Sequence, residues 1–226
     1  MLNAALTIAA KDLRLMAGQG NAVTRPLLLG LLLVALFSLA VNSETKTSPT
    51  TAAAIFWIVS AFCLTILMTG LFDLEETAKA RIGLLLAPIP VQAIWLGKSF
   101  AGLGLLAVIQ VALLAVSVIF LDLVWFGDVS LALTGLILVD VGIVTIGALL
   151  ASLAGGQTAR ESLCSLVMFP LLTPQLLAGI RLLSGLYGDI MTEGSAWQWI
   201  GIAAAFDAIF IAAALVLFPF LYGGDS

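Results

Sequence analysis

The sequence predicts an all-α membrane protein of six transmembrane helices, with an N-terminal amphipathic interfacial helix and a cytoplasmic coupling-type helix between spans 2 and 3. Three observations carry that expectation. Hydrophobic residues make up 62% of the 226 positions and charged residues only 10%; the apolar runs recur at the length of a bilayer span; and the cations gather in alternate loops. A soluble domain carries roughly a quarter of charged residues, and a chain of this size leaves too much surface wet to hide so much apolar area. The net charge of -4 lacks the basic footprint that DNA or RNA demands, so no nucleic-acid partner is expected. With no His in the chain, a His-based triad and a His-ligated zinc or haem are excluded within it. Cys63 and Cys164 stand far apart in apolar runs with no CxxC, so neither a disulfide framework nor a metal knuckle is expected.

A helix needs about 20 apolar residues to cross about 30 Å of hydrocarbon. Charge-free runs place spans at about 26–41, 52–72, 99–121, 129–153, 162–186 and 197–221, in one transmembrane domain covering 1–226. The first is the shortest and is followed by a polar stretch, 42–51. Residues 122–128 read as a tight hairpin between spans 3 and 4, and Gly155-Gly156 breaks the pattern before span 5. Ser38-Leu39-Ala40 has the small-x-small look of a signal-peptide cleavage site. The long polar region before the first span, and the odd number of spans that cleavage would leave, argue against that reading.

Loop charge orients the spans. With the N-terminus in the cytoplasm, Lys11, Arg14, Arg25, Lys79, Arg81, Lys98 and Arg160 fall inside, and only Lys46 and the membrane-edge Arg181 fall toward the outside. That positive-inside bias puts both termini in the cytoplasm. Trp125, Trp197 and Trp199 stand near the outer boundaries, where aromatic belts form.

Before the first span, Leu2, Ala5, Leu6, Ala9, Leu13 and Met16 share one helical face, with Asn3, Thr7, Lys11, Arg14 and Gly18 opposite. This helix is too polar to span; it is expected in the cytoplasmic interface, or else packed on a partner. Between spans 2 and 3 the charged stretch holding Glu75, Glu76, Lys79 and Arg81 runs into an apolar block that Pro88 and Pro90 end. Glu75 and Lys79 form an i,i+4 pair in the favourable order. Such a rigid element suits docking on a cytosolic motor; the alternative is a solvated loop with an interfacial half-helix.

Gly97-Lys98-Ser99 looks like the tail of a phosphate loop, but Gln92 stands where its first glycine belongs and no βα unit surrounds it. Lys98 is read instead as a cytoplasmic anchor at the start of span 3. Asp140 in span 4 and Asp207 in span 6 are costly at membrane depth, so each is expected to be functional or paired. Arg181 is the one cation at comparable depth, and the three are expected to form an intramembrane polar network. The alternatives are an ion pair or a protonated aspartate bonded to a neighbour. Gly147, Ala151 and Gly155 make a small-residue ridge for close packing or a homodimer seam. Pro170 and Pro174 predict a kinked or broken fifth span. No catalytic residue is readable, since no nucleophile–base pair is present.

Several segments resemble the haem exporter protein B family (CcmB), the ABC-type permease subunit of cytochrome c maturation. They are Leu84-Leu85-Leu86-Ala87-Pro88 with Ile94-Trp95-Leu96-Gly97-Lys98, Thr158-Ala159-Arg160-Glu161-Ser162 leading to Phe169-Pro170-Leu171-Leu172-Thr173-Pro174, and Ala205-Phe206-Asp207-Ala208-Ile209-Phe210. Their order and spacing cover nearly the whole chain. Lys79-Ala80-Arg81-Ile82 departs from the family pattern, which has a glycine and a further acidic residue there; this bears on motor docking and not on the fold. The resemblance implies a bacterial inner-membrane permease subunit that is not itself an enzyme. Its implied partners are a cytosolic ABC ATPase, a haem-handling membrane subunit, a small single-span subunit and a periplasmic haem chaperone. ATP and haem would be bound by partners, with no cofactor on this chain. Glu75, Glu76, Lys79, Arg81 and Pro88 would serve coupling. Alternatives are an ABC-2-type permease exporting another lipid-like or amphipathic substrate, and a passive membrane scaffold.

Overall fold

The computed structural model describes residues 1–18, 20–41, 47–77, 83–84, 86–123, 127–154, 158–189 and 192–223, without the side chains of 21, 76–77, 154, 158–165, 193 and 222–223. Among the described residues the chain forms seven helices and no strand: α1 Leu2–Gly18, α2 Asn21–Ala40, α3 Pro49–Thr77, α4 Val91–Phe120, α5 Val129–Ala154, α6 Thr158–Ser184 and α7 Glu193–Gly223. Helices α2 to α7 each contain a stretch long and apolar enough to cross a membrane. The six spans of the sequence are these six helices.

The ends differ where a breaker or cap overrides hydropathy. Pro90, extended at φ -68 and ψ 140, caps α4, so the helix begins at Val91 and Lys98 lies two turns inside it rather than at its start. Asp128 caps α5: its Oδ1 accepts bonds from the Ser130 amide at 2.8 Å, the Ser130 hydroxyl at 2.7 Å and the Leu131 amide at 3.4 Å. The Ser130 hydroxyl, above all, holds that carboxyl below the ordinary carboxylate range. At the other end of α4, Asp122 takes the left-handed conformation at φ 50, and the Leu123 amide reaches back to the Val118 carbonyl at 3.2 Å. That bond closes the helix in a Schellman-type turn. Helix α6 stays helical through Pro170 and Pro174, so neither breaks it.

Helix α5 packs against α3, α4, α6 and α7 and is the hub of the bundle. The small-residue ridge on α5 is used there: a Cβ on Gly147 would lie 3.2 Å from Met68 and 3.5 Å from Leu64 of α3. Gly155, at the end of that ridge, lies outside the described residues.

Helix α1 packs along the first turns of α4. Its buried residues are Ala5, Ile8, Ala9, Asp12 and Met16, while Leu2 and Leu6 are exposed. The packed face is therefore rotated from the apolar face read in sequence, and it carries a carboxylate. Contact is close because α4 presents Gly97, where a Cβ would sit 2.8 Å from both the Ala5 carbonyl oxygen and Ile8. Backbone cannot yield to a methyl group, so Gly97→Ala is expected to cost about 1–3 kcal/mol. A thermal melt of the detergent-solubilised protein, with protease cleavage between α1 and α2 as a second readout, checks this; unchanged values in both would refute it.

Candidate functional site

Two polar assemblies interrupt the apolar interior. The first lies where α1, α3 and α4 meet, on the side of the bundle that carries α1. Lys98 is fully buried. Its Nζ donates to the Leu71 carbonyl at 2.7 Å, lies 3.0 Å from Glu75 Oε1 and 3.5 Å from Asp12 Oδ2, and stands 4.6 Å over the Phe72 ring. Lys11 adds a second cation, 2.9 Å from Asp12 Oδ1 and 3.6 Å from Glu75 Oε1. Asp12 and Glu75 are 1% and 3% exposed, so neither carboxylate can be rehydrated without moving a helix. Burying one ion is expensive, and the cost is offset here because two cations meet two anions.

This geometry revises two expectations. Glu75 turns inward to Lys98 rather than outward to a docked protein, and Lys98 is a buried hub rather than an interfacial anchor. Asp12 and Lys11 join the site without having been singled out. At 100° per residue, position 12 falls on the arc of Ala5, Ile8 and Met16. An aspartate on that arc is the signal that could have found it. Glu76 has no described side chain, and Lys79 and Arg81 lie outside the described residues; residues 73–77 of the expected coupling segment are the last turns of α3, continuous with span 2. Beyond α3, residues 83, 84 and 86–90 of that segment are described. The Ala87 amide bonds the Leu84 carbonyl at 3.3 Å, and Pro88 is exposed in the bend that follows.

The second assembly lies near the middle of the spans. Gln110 of α4 donates from Nε2 to Asp140 Oδ1 of α5 at 2.8 Å. Gln175 of α6 donates from Nε2 to Asp207 Oδ1 of α7 and to the Ala203 carbonyl at 3.3 Å. All four side chains are buried. Their positions along the helices put them roughly 14–21 Å from the ends opposite α1, at 1.5 Å per residue. Gly142 of α5 supplies the space for the second pair: a Cβ there would run into Gln175 Nε2 and Asp207 Oδ1.

The network expected of Asp140, Arg181 and Asp207 thus takes another form. Each aspartate pairs with a glutamine. Arg181 is exposed and lies 6.0 Å from the Trp199 ring, a cation–π distance, with no ion pair to either aspartate among the described residues. Gln110 and Gln175 escaped the sequence reading because a neutral amide does not break a hydropathy run. The available signal was a repeat: in two successive hairpins, a buried amide in one span precedes an acid in the next by 30 and 32 positions.

A site of this kind binds helices to one another and offers no reacting pair. Among the described residues no group of three or more His, Cys, Asp or Glu could hold a metal ion. No curated protein matches the chain. The CcmB protein family matches residues 3–223, nearly all of it. With six apolar spans around α5 and a match of that extent, the chain belongs to the CcmB family, the multi-pass permease subunits of the ABC-type haem exporter of cytochrome c maturation.

Proposed function

We propose that this subunit couples ATP hydrolysis by a cytosolic ABC ATPase to haem delivery, or to release of a haem-loaded chaperone, on the outer face of the bacterial inner membrane. The observation that carries the reading is the Lys98 cluster. It ties α1, the end of α3 and the start of α4 together through ionic contacts of 3.0 and 3.5 Å, at the point where the 78–90 segment leaves α3. A push on that segment would reach three helices at once instead of being absorbed by a loose loop. The excess of cations in the loops on the α1 side supports a cytoplasmic location for that side and for both termini. In this reading haem is the cargo of the complex and is held by a partner membrane subunit, in keeping with a chain that carries no His, the proximal ligand of many haem proteins. A small single-span subunit and the periplasmic chaperone complete the assembly.

In this reading Glu76, Lys79, Arg81 and Pro88 meet the ATPase, while Glu75 transmits the movement inward. Affinity purification in mild detergent, followed by mass spectrometry and an ATPase assay, tests it. Wild-type protein is expected to recover a cytosolic ATPase and a haem-bearing membrane partner. The triple variant Glu76→Ala, Lys79→Ala, Arg81→Ala is expected to weaken ATPase capture about tenfold, equivalent to about 1.4 kcal/mol. Recovery of the subunit alone, under conditions that preserve such complexes, would sink the coupling reading.

A further inference from the structure

The two mid-depth pairs leave the same kind of atom unanswered. Gln175 spends its amide group on two acceptors, Asp207 Oδ1 and the Ala203 carbonyl. The Ala203 carbonyl can only accept, so the amide nitrogen must face it. Three buried oxygens then have no hydrogen-bond donor: Gln175 Oε1, Asp207 Oδ2 and Gln110 Oε1. All three are acceptors. What each pair lacks is a proton, not an acceptor.

No described cation supplies the want. Charged side chains described on the helices packed around α5 are Asp73, Glu75, Lys98, Arg181 and Asp207. Asp73 and Glu75 stand at the α1-side end of α3, far from this level. Lys98 is twelve residues from Gln110 along α4, about 18 Å, and is already engaged by Glu75 and Asp12. Arg181 is six residues from Gln175, about 9 Å along α6, and faces Trp199 on the outside of the bundle. An ionised carboxylate with one neutral amide for company would be among the costliest arrangements a bilayer interior allows. A carboxylic acid is a different partner: it donates from one oxygen and accepts at the other, matching a primary amide at two points.

We propose that Asp140 and Asp207 each carry a proton, and that the acid hydroxyl donates to the glutamine Oε1 while the glutamine Nε2 donates to Oδ1. Each of the hairpins α4–α5 and α6–α7 is then closed by a neutral two-point acid–amide pair. The ligand of these sites is the proton. They pin four spans at one level without placing charge of their own in the membrane. The proposal does not depend on the coupling reading, since it concerns the resting bundle alone.

Infrared spectroscopy of the full-length protein in lipid bilayers at neutral pH, with its aspartates carrying 13C at the side-chain carboxyl, reads the proton directly. Exposed aspartates contribute only carboxylate bands. The wild-type protein is expected to show an isotope-shifted acid carbonyl band made of two contributions. Asp140→Asn and Asp207→Asn are each expected to remove one, and the double variant both. Both single variants are expected to keep the wild-type melting temperature, because asparagine also donates and accepts at two points. Asp140→Leu and Asp207→Leu are expected to lower it. A wild-type spectrum with carboxylate bands alone would overturn the proposal, whether or not any variant folds. So would an acid band that survives in the double variant, since it would then belong to another aspartate.

Discussion

Lys98→Met is expected to destabilise the protein by about 3 kcal/mol, the lower end of the roughly 3–5 kcal/mol found when one partner of a buried ion pair is removed. The methionine fills the volume, so the loss is electrostatic. Asp12 and Glu75 would stay buried without their fully buried cation, while Lys11 would still lie near both. Lys11 is 40% exposed and already 2.9 Å from Asp12, which is why the lower end of the range applies. The neutralised triple variant Asp12→Asn, Glu75→Gln, Lys98→Met is expected to recover most of the loss, because no unpaired charge then remains inside. Single effects in one network do not add. Thermal unfolding in detergent measures both variants. If Lys98→Met melts like wild type, the cluster is not an ionic clasp; if the triple variant is worse than the single one, desolvated charge is not the cause.

Gly142→Val is the second large effect. The added side chain would occupy the position of Gln175 Nε2 and Asp207 Oδ1. Overpacking costs about 1–3 kcal/mol, and a broken interhelical hydrogen bond in a membrane protein adds roughly 0.6–1.7 kcal/mol. A total near 3 kcal/mol is expected, with α6 and α7 loosened from α5. Gly201→Val on α7 is the control, since nothing lies within 4 Å of its Cβ position; its melt is expected to shift by less than about 0.5 kcal/mol. Equal effects at both positions would mean that the glycine at 142 does not set the packing of the second pair.

The spans were legible because a bilayer imposes its thickness on composition, so a run of twenty residues without charge carries its own meaning. Asp140 and Asp207 were legible for the same reason, as exceptions inside such runs. Their partners were not. Gln110 and Gln175 are apolar enough in context to pass unnoticed, and which helix faces which is a property of the packed bundle. Arg181 drew attention by its charge alone, yet a long side chain near a helix end reaches sideways to an aromatic ring more cheaply than it enters the core. Lys98 was misplaced because hydropathy treats any lysine as the edge of a span. The true helix start was written in Pro90, eight residues earlier, and the burial of Lys98 depends on two carboxylates distant in sequence.

The Lys98 cluster also sets an order for biogenesis. Asp12 is made first, then Glu75, and the lysine that neutralises them inside the protein arrives only with the third span. A nascent chain that has inserted two spans therefore still holds its leading helix unseated at the membrane surface. Seating of that helix is a built-in report that the third span has entered the bilayer. A ribosome-bound chain stopped shortly before Lys98 emerges should leave the leading segment open to protease, and one stopped after the third span has inserted should protect it.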